Sequence, residues 1–379
     1  MLDVDARPLS NAASRGSEGS RCAPCLRYGG GRYRGGRAAM TDSILIFAPS
    51  WIGDSVMSLG AMRAVRKTHS NARIVALTRP WVQELYAGCD VFDDTILYDP
   101  HGADRGISGF LRAARRVRLE DFDLSILFPN AFRAAFLIHT AGIPERWGYA
   151  TEKRGVFLTK RVPPAPRPFG RHQAHFYLDL IGGLGLDLVE PDLSLQATEP
   201  MRRAGRTLLE REGYKGGPLV GVHPGATNSR AKLWQTSRYA EVALKLAETL
   251  DGQVVILGGI TEGVLAEEVR AGLPKERVLM LQGKTSLGEL MGVLSELAVF
   301  LTNDSGPMHL AAALAVPTVA VFGPTDFRET GPYSSVARVV REPVDCSPCL
   351  YRDCPIDHRC MERVTPERVY DEALALVSS

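Results

Sequence analysis

The chain of 379 residues contains no apolar run long enough to cross a bilayer. Its longest candidate, 310–323, falls short of the roughly 18 residues that a spanning helix requires, and Pro317 interrupts it. The first 40 residues are rich in Arg, Gly and Ser and lack the apolar centre of a secretory signal. The sequence therefore predicts a cytoplasmic protein that does not cross the membrane.

Residues 1–40 also lack helical or strand periodicity. Met40 stands directly before the first clear strand, so the preceding stretch is either a disordered basic tail or the product of a start codon assigned too early. The second interpretation is preferred. Cys22 and Cys25 lie in this stretch without partners nearby in sequence, and they receive no predicted role.

Cysteine is present at seven positions, an odd number that does not indicate a disulfide framework in a chain without an export signal. Four of the cysteines have the spacing C-x2-C-x4-C-x5-C, which is close enough to surround one tetrahedral ion and suggests a structural zinc site. Zinc fingers usually separate their cysteine pairs by a longer hairpin, so reduced surface thiols are the slightly preferred alternative. The four cysteines are Cys346, Cys349, Cys354 and Cys360.

A strong net charge is also missing, since the whole chain carries +2. The charge is unevenly divided: +4 in 1–40, +4 in 41–185 and −6 in 186–379. Residues 41–379 thus sum to −2 and present no basic platform with interleaved aromatic residues, which argues against a nucleic-acid partner. The basic first half suits an acidic partner.

Apolar runs of strand length alternate with helical patterns along the chain, and this alternation predicts parallel sheets. A proline-rich stretch, 161–171, separates two such series. We therefore predict an α/β protein in which two Rossmann-like domains, 41–185 and 186–365, face each other across a central cleft, followed by a last helix in 366–379. Predicted strands are 44–48, 73–77, 124–128, 219–222, 254–257, 278–281, 299–302 and 318–322; predicted helices are 55–67, 172–184, 237–250, 262–271, 307–314 and 366–377.

Ligands of doubly wound sheets bind outside the carboxyl ends of the strands, so the loops that follow the strands are the candidate sites. The first strand runs into Pro49-Ser50-Trp51-Ile52-Gly53-Asp54. Asp54 suits a general base that accepts the proton of an attacking hydroxyl. The alternative of similar weight is an N-cap, because Asp satisfies free amides at a helix start.

The strand 219–222 leads into a loop of small residues that ends in Lys232-Leu233-Trp234. Backbone amides of such a loop, together with the ammonium of Lys232 and the hydroxyl of Thr227, can hold phosphate. The loop lacks the Gly-Lys-Ser/Thr ending of a Walker loop. The alternative is that Lys232 is only a solvated surface residue.

The segment 302–313 has the clearest site pattern, because a buried strand ends where a helix of small residues begins. Ser305 and Gly306 let an anion approach the backbone, and His309 follows one turn later; capping by Asp304 is the alternative. The turn at 322–326 repeats the pattern more weakly and is more often structural. After Gly258-Gly259, Glu262 suits either a ribose contact or a capping role.

Four segments together resemble the lipopolysaccharide heptosyltransferases of glycosyltransferase family 9, which have the GT-B fold: WIGD at 51–54, HPGA-x5-KLW at 223–234, NDSGPMHLAAA at 303–313 and FGPTD at 322–326. The resemblance extends from about Ile44 to the C-terminus. Segments 127–133 and 141–149 resemble the acceptor domain of members that extend an existing heptose. Ala131 and Ala134 depart from the serines often found there.

This resemblance implies inverting, metal-independent transfer of L-glycero-D-manno-heptose from ADP-heptose to the first heptose of the lipopolysaccharide inner core. It implies that Asp54 is the catalytic base, and that the acceptor is heptosyl-Kdo-lipid A at the inner face of the inner membrane. No cofactor is implied beyond the zinc considered above. Donor-binding positions are Thr227, Lys232, Glu262, Asp304, Ser305, Gly306 and His309; acceptor-binding positions are Asn130, Arg133 and Arg154.

Alternatives remain open at this level. A relative with another acceptor or another nucleotide sugar has the same donor loops, and a non-catalytic nucleotide-sugar-binding protein would keep those loops but lose the base. The presence of Asp54 argues against the last. Most basic residues of the first half, including the dense group Arg112, Arg115, Arg116 and Arg118, are expected to be solvated surface.

Overall fold

A computed structural model describes residues 41–164, 169–227 and 229–378. The predictions for the first 40 residues, including Cys22 and Cys25, lie outside this part of the chain, as do 165–168 of the proline-rich stretch. Residues Met40–Ser379 form one compact unit.

The first half of the described chain contains a parallel sheet of six strands in the order β3-β2-β1-β4-β5-β6. β1 is central because its residues are almost entirely apolar and buried, as a strand covered on both faces requires. The strands are β1 Ser43–Phe47, β2 Arg73–Thr78, β3 Asp94–Leu97, β4 Leu124–Leu127, β5 Glu145–Tyr149 and β6 Lys160–Val162.

The second half repeats this topology in a sheet of order β12-β11-β10-β7-β8-β9, again entirely parallel. In each sheet the strand order reverses beside the first strand, between β1 and β4 and between β7 and β10, and this position favours ligand binding. The strands are β7 Leu219–His223, β8 Gln253–Ile256, β9 Val278–Met280, β10 Val299–Asn303, β11 Thr318–Phe322 and β12 Ala337–Arg341.

Helices connect the strands and cover the sheets. The α/β fold with two Rossmann-like sheets is thereby confirmed. The helices are α1 Ile52–Met57, α2 Leu59–Thr68, α3 Gln83–Ala87, α4 Gly106–Arg118, α5 Phe132–Ala141, α6 Gln173–Gly183, α7 Glu199–Arg211, α8 Thr236–Thr249, α9 Gly263–Ala271, α10 Leu287–Leu294, α11 Gly306–Ala313, α12 Phe327–Thr330, α13 Arg359–Glu362 and α14 Pro366–Val377.

The helix predicted over 55–67 is in fact two helices, α1 and α2, that meet at Ser58. At this junction the Ser58 hydroxyl donates to the Ser55 carbonyl at 2.9 Å, a side-chain bond to the preceding turn of a kind that often accompanies a bend in a helix. The break also lets Gly60 lie against the backbone of Pro191, where a Cβ would come within 3.1 Å of the Pro191 Cα. α1 packs against α11 of the second half.

The two sheets share part of one hydrophobic core, which includes Ile44 and Ile126 from the first and Leu219 and Val255 from the second. The last helix, α14, packs on the second sheet, where Val369 and Ala373 are fully buried. The domain boundaries near 185 and 365 stay predictions. Within the described residues, no helix is long and apolar enough to pass through a bilayer.

Candidate active site

Asp54 lies in the first turn of α1, directly after the carboxyl end of β1. The N-cap residue is Trp51 and no side chain caps this helix, so the capping role considered for Asp54 is wrong. Instead, Asp54 accepts a hydrogen bond from the Tyr177 hydroxyl, with 2.9 Å between the oxygens. Tyr177 belongs to α6 and is 5% exposed. The hydrogen bond from this buried hydroxyl fixes the position of one carboxylate oxygen of Asp54.

Replacing Tyr177 by Phe is expected to lower kcat by about tenfold, because the loss of one hydrogen bond to a charged group leaves Asp54 less well oriented. The KM for the nucleotide-sugar donor should stay the same, since Tyr177 does not line the cavity that holds the donor-site residues. Steady-state kinetics with the donor varied would check this.

A double-mutant cycle supplies the control. In an Asp54→Asn background, whose residual rate no longer depends on a carboxylate, Tyr177→Phe should have little further effect. An equal loss in both backgrounds would show that Tyr177 acts only through stability.

The loop after β7 is held in place by buried side chains of the second half. The Asn303 amide donates to the Pro224 carbonyl at 2.7 Å, while its oxygen accepts from the Trp234 amide at 3.1 Å and the Tyr239 hydroxyl at 2.9 Å. Trp234 is fully buried, and its indole donates to the Val364 carbonyl. These bonds anchor both ends of the loop and leave its middle at the cavity.

Lys232 is an ion-pair partner within the site and not a solvated surface lysine. Its ammonium nitrogen lies 2.8 Å from a carboxylate oxygen of Asp304, and the Lys232 side chain is only 25% exposed. The same carboxylate oxygen accepts from the Thr325 hydroxyl at 2.7 Å. Asp304 therefore does not cap α11, whose N-cap is Ser305, but orients Lys232, and the turn at 322–326 has a structural role.

The start of α11 meets the start of α1 across the two halves. At Gly53, an added Cβ would come 2.9 Å from a carbon of the His309 ring, and at Gly306 one would come 3.3 Å from Ile52. Both positions leave little room for a side chain, because the His309 ring and the Ile52 side chain pack against them. The first amides of α11 consequently face the same space as Asp54.

His309 is buried in this contact, and burial lowers its pKa from 6.5 to about 4. Asp304 opposes this shift, while His172 and Lys232 reinforce it. The imidazole is therefore neutral at physiological pH and can donate one hydrogen bond without adding charge.

The lowered pKa has a consequence for stability. Between pH 6.5 and about 4 the unfolded chain binds a proton at His309 and the folded chain does not, so acidification through this window favours unfolding. We expect wild type to lose roughly 1.4 kcal/mol per pH unit there relative to a His309→Gln variant, which has no proton to bind. Denaturant unfolding of both proteins at several pH values would measure this difference. Parallel pH dependences would contradict the burial of His309.

Glu262 is the last residue of a short 3-10 helix, Ile260–Glu262, that follows β8, and its carboxylate lies against Gly225. Burial would raise the pKa of Glu262, but bonds from His223 and from the Gly259 amide outweigh it, so the pKa is lowered. The distances are 3.3 Å from His223 Nε2 and 2.7 Å from the Gly259 nitrogen. Glu262 thus has the capping role and also faces a cavity, as an ionised acceptor.

Most of the predicted donor residues line one cavity together with Asp54. This central cavity has a volume of about 580 Å³. An adjoining cavity of about 520 Å³ contains Glu262 and apolar walls from Leu257, Leu287 and Leu290, and Thr227 borders both. The predicted site residues in the central cavity are Asp54, Thr227, Lys232, Asp304, Ser305, Gly306 and His309.

The predicted acceptor residues line neither cavity. Arg154 has no exposed surface, so the direct acceptor contact predicted for it is not supported by its position. Its guanidinium donates to the carbonyls of Tyr149 and Pro129 and to the side-chain oxygen of Asn130, and burial lowers its pKa to about 10. Arg154 therefore holds the loop that carries Asn130.

Arg133 is exposed and donates to the Tyr98 hydroxyl at 2.8 Å. The dense arginine group of α4 is exposed as expected, yet three of its members also bind backbone carbonyls: Arg112 to Ala103, Arg116 to Leu97, and Arg118 to Thr140 and Ala141.

The four cysteines of the predicted zinc site are free thiols; Cys346, Cys349 and Cys354 lie in the loop before α13, and Cys360 lies in α13. Burial, followed by the charges of the other three, raises the pKa of Cys360 to about 11. Within the described residues, no three His, Cys, Asp or Glu side chains are arranged to hold a metal ion. The zinc site stays a prediction that elemental analysis of the purified protein would test.

Three residues with clear roles in this geometry were not predicted as site residues. Tyr177 reaches the site only through tertiary packing, and Asn303, although it lies in the predicted segment 302–313, bonds to residues of the loop after β7 that are far from it in the chain. His223 adjoins the predicted loop, and its second ring nitrogen lies 3.4 Å from the Ser305 hydroxyl, which links Glu262 to the start of α11. The sequence signal that could have identified His223 as a site residue is its position at the end of a predicted strand.

Comparison with known proteins is consistent with this geometry. The profile of glycosyltransferase family 9 (heptosyltransferase) matches residues 110–359. Lipooligosaccharide heptosyltransferase 2 of Campylobacter jejuni is 30% identical, with 89% of this chain and 98% of the relative aligned. Lipopolysaccharide heptosyltransferase 2 of Escherichia coli K12 is 31% identical over 88% of this chain and 98% of its own length.

Among solved structures, the ADP-heptose lipopolysaccharide heptosyltransferase II of E. coli superimposes with a TM-score of 0.75 at 26% identity, covering 89% of this chain and 98% of that one. A family 9 glycosyltransferase from Veillonella parvula gives a TM-score of 0.79 at 22% identity, with coverage of 91% and 99%, and supports the fold. The chain therefore belongs to glycosyltransferase family 9, the heptosyltransferases, and has their GT-B fold.

Proposed function

We propose that this enzyme transfers L-glycero-D-manno-heptose from ADP-heptose to the first heptose of the lipopolysaccharide inner core. The observation that carries the proposal is the central cavity, which brings Asp54 from one half together with Lys232 and the start of α11 from the other. Relatives named heptosyltransferase 2, aligned over nearly their full length, support the choice of donor and acceptor.

The two cavities suit the two parts of the donor. The adjoining cavity has the apolar walls that an adenine ring requires, and Glu262 is an ionised acceptor for ribose hydroxyls. The diphosphate would then lie in the central cavity, where Lys232 and the first amides of α11 are available. Neutral His309 adds a hydrogen-bond donor at the same place.

Asp54 would act as general base in a single displacement. As the acceptor hydroxyl oxygen forms its bond to the anomeric carbon, its proton passes to the Asp54 carboxylate, and the bond from that carbon to the ADP oxygen breaks. The electron pair leaves with ADP, so the configuration of the anomeric carbon is inverted. Lys232 and the helix amides would stabilise the leaving diphosphate without a metal ion.

The acceptor side would be formed by the first half. Arg133 is exposed there, and Arg154 fixes the loop of Asn130. The guanidinium of Arg133 and the side chain of Asn130 suit the carboxylates and phosphates of heptosyl-Kdo-lipid A. Because this acceptor is anchored by acyl chains, the enzyme would work in peripheral contact with the inner face of the inner membrane.

The test is transfer from ADP-heptose to core acceptors that carry no heptose or one heptose, followed by mass spectrometry. The proposal predicts one added heptose on the one-heptose acceptor alone. Addition only to the heptose-free acceptor would assign the enzyme to the preceding step. Transfer from a different nucleotide sugar, or none from any, would contradict the proposed donor.

A further inference from the structure

Large apolar side chains stand exposed on one side of the first half, away from both cavities. Ile107 is 82% exposed and Val156 72%, values that are costly in water unless another surface covers them. They belong to a set that we call the docking face. Its members are Ile107 and Leu111 of α4, Phe132 and Phe136 of α5, and Val156 of the turn at Arg154–Phe157.

Aromatic contacts join these three elements into one surface. The Phe136 ring stacks on Phe110 of α4 with 5.2 Å between centroids, and it lies 5.4 Å from Phe157. Phe132 also contacts Phe157, at 5.2 Å. Because Ile107 and Leu111 flank Phe110 on the same side of α4, the docking face is continuous and is not a scatter of single residues.

The charge around the docking face is positive. Neither α4 nor α5 contains an acidic residue, whereas α4 alone has four arginines. Arg133 lies over the Phe110 ring at 5.6 Å, and Arg115 and Lys153 are exposed nearby in sequence. Of the adjacent carboxylates, Asp104 is buried and paired with Arg116, while Glu152 and Asp121, just beyond the end of α4, are exposed.

A line of polar contacts leads from the docking face to the loop of Asp54. Arg133 donates to Tyr98, and the Arg79 guanidinium lies 5.0 Å above the Tyr98 ring. Arg79 in turn donates to the Ser50 hydroxyl at 3.1 Å. An acidic ligand anchored beyond the docking face would therefore meet cationic groups along its way to the base.

We propose that the docking face binds the surface of an anionic phospholipid bilayer. Ile107, Leu111 and Val156 enter the headgroup region, and the arginines of α4 contact lipid phosphates. Exposed apolar residues with a cationic border and no acidic residue on either helix match this partner better than a protein surface. The inference deepens the proposed function, since a membrane is where a lipid-anchored acceptor is presented.

The test is co-sedimentation of the full chain with protein-free vesicles, either phosphatidylethanolamine with phosphatidylglycerol or phosphatidylcholine alone. We expect binding to the anionic vesicles that weakens with salt and is much weaker on phosphatidylcholine. An Ile107→Ser/Val156→Ser variant should bind the anionic vesicles at least about tenfold more weakly. An Arg115→Gln/Lys153→Gln variant should bind roughly 30-fold more weakly, because each of the two cations near the surface contributes about 1 kcal/mol.

The matched control is Leu188→Ser/Val264→Ser, which removes side chains that are 63% and 73% exposed elsewhere. It should bind vesicles like wild type. All variants should retain wild-type transfer to a deacylated acceptor, which tests the proposed function separately from docking.

Three results would overturn the inference. One is a wild-type chain that does not bind anionic vesicles, and another is equal binding by the docking-face variants and the control. The third is loss of binding only when the chain begins at Met40, which would assign the membrane contact to residues 1–39.

Discussion

An Asp54→Asn enzyme is expected to lose transfer activity by about 10²- to 10⁴-fold, the range that a general base contributes. Asn keeps an oxygen that can accept the bond from Tyr177, so the geometry of the site is retained while the proton acceptor is removed. ADP binding, measured by calorimetry, should remain nearly unchanged. The comparison separates catalysis from donor binding.

Asp371→Asn provides the control, because this exposed carboxylate on α14 is remote from both cavities. It should behave like wild type. Turnover near the wild-type rate in Asp54→Asn would contradict the assignment of Asp54 as the base. If the wild-type protein bound ADP but transferred no sugar, that result would favour the alternative of a non-catalytic nucleotide-sugar-binding protein.

Replacing Lys232 by Ala is expected to weaken donor binding and slow the chemical step together. Its ammonium would face the diphosphate both in the bound donor and as negative charge develops on the leaving group, so kcat/KM should fall by roughly 10²- to 10³-fold. The affinity for ADP should fall by about tenfold, as expected for a charge-assisted contact. Steady-state kinetics and calorimetry would measure the two effects.

Removal of Lys232 also leaves the buried Asp304 carboxylate without its ion pair, although the Thr325 hydroxyl still donates to it. A Lys232→Ala/Asp304→Asn double variant removes that unpaired charge. If stability alone were responsible, the double variant would recover activity. Lys275→Ala, at an exposed lysine, is the matched control. Unchanged kinetics in Lys232→Ala would make it a surface lysine after all.

Sequence periodicity was sufficient for the most buried elements. β11 and α14 match their predicted bounds, and the central strands differ by about a residue, because a buried strand or an amphipathic helix has a repeat that is visible locally. β3, β5, β6 and β12 were not predicted. β3, β6 and β12 are edge strands, where burial on two faces is not required, and β5 lies next to the edge strand β6 and begins with the polar residues Glu145 and Arg146.

The candidate site could be located for a similar reason. Parallel strands place their carboxyl ends at one edge of a sheet, so the loops with Asp54, Lys232 and Asp304 were recognisable one by one. The residues that form hydrogen bonds with these loops could not be recognised from the sequence. The bonds from Tyr177 to Asp54 and from Asn303 to Pro224 join residues 123 and 79 positions apart, and no local pattern encodes such a distance.

Arg154 shows how the lack of long-range information in a local pattern can misjudge the surroundings of a residue. An arginine in a polar segment resembles solvated surface or a ligand contact, but here its donors satisfy the carbonyls of a loop that would otherwise be buried without partners. The sequence by itself determined two parallel sheets and the loops that bear the chemistry, because periodicity and strand direction are local properties. Only the tertiary structure decided which polar groups are buried together, since burial and hydrogen-bond satisfaction depend on residues far apart in the chain.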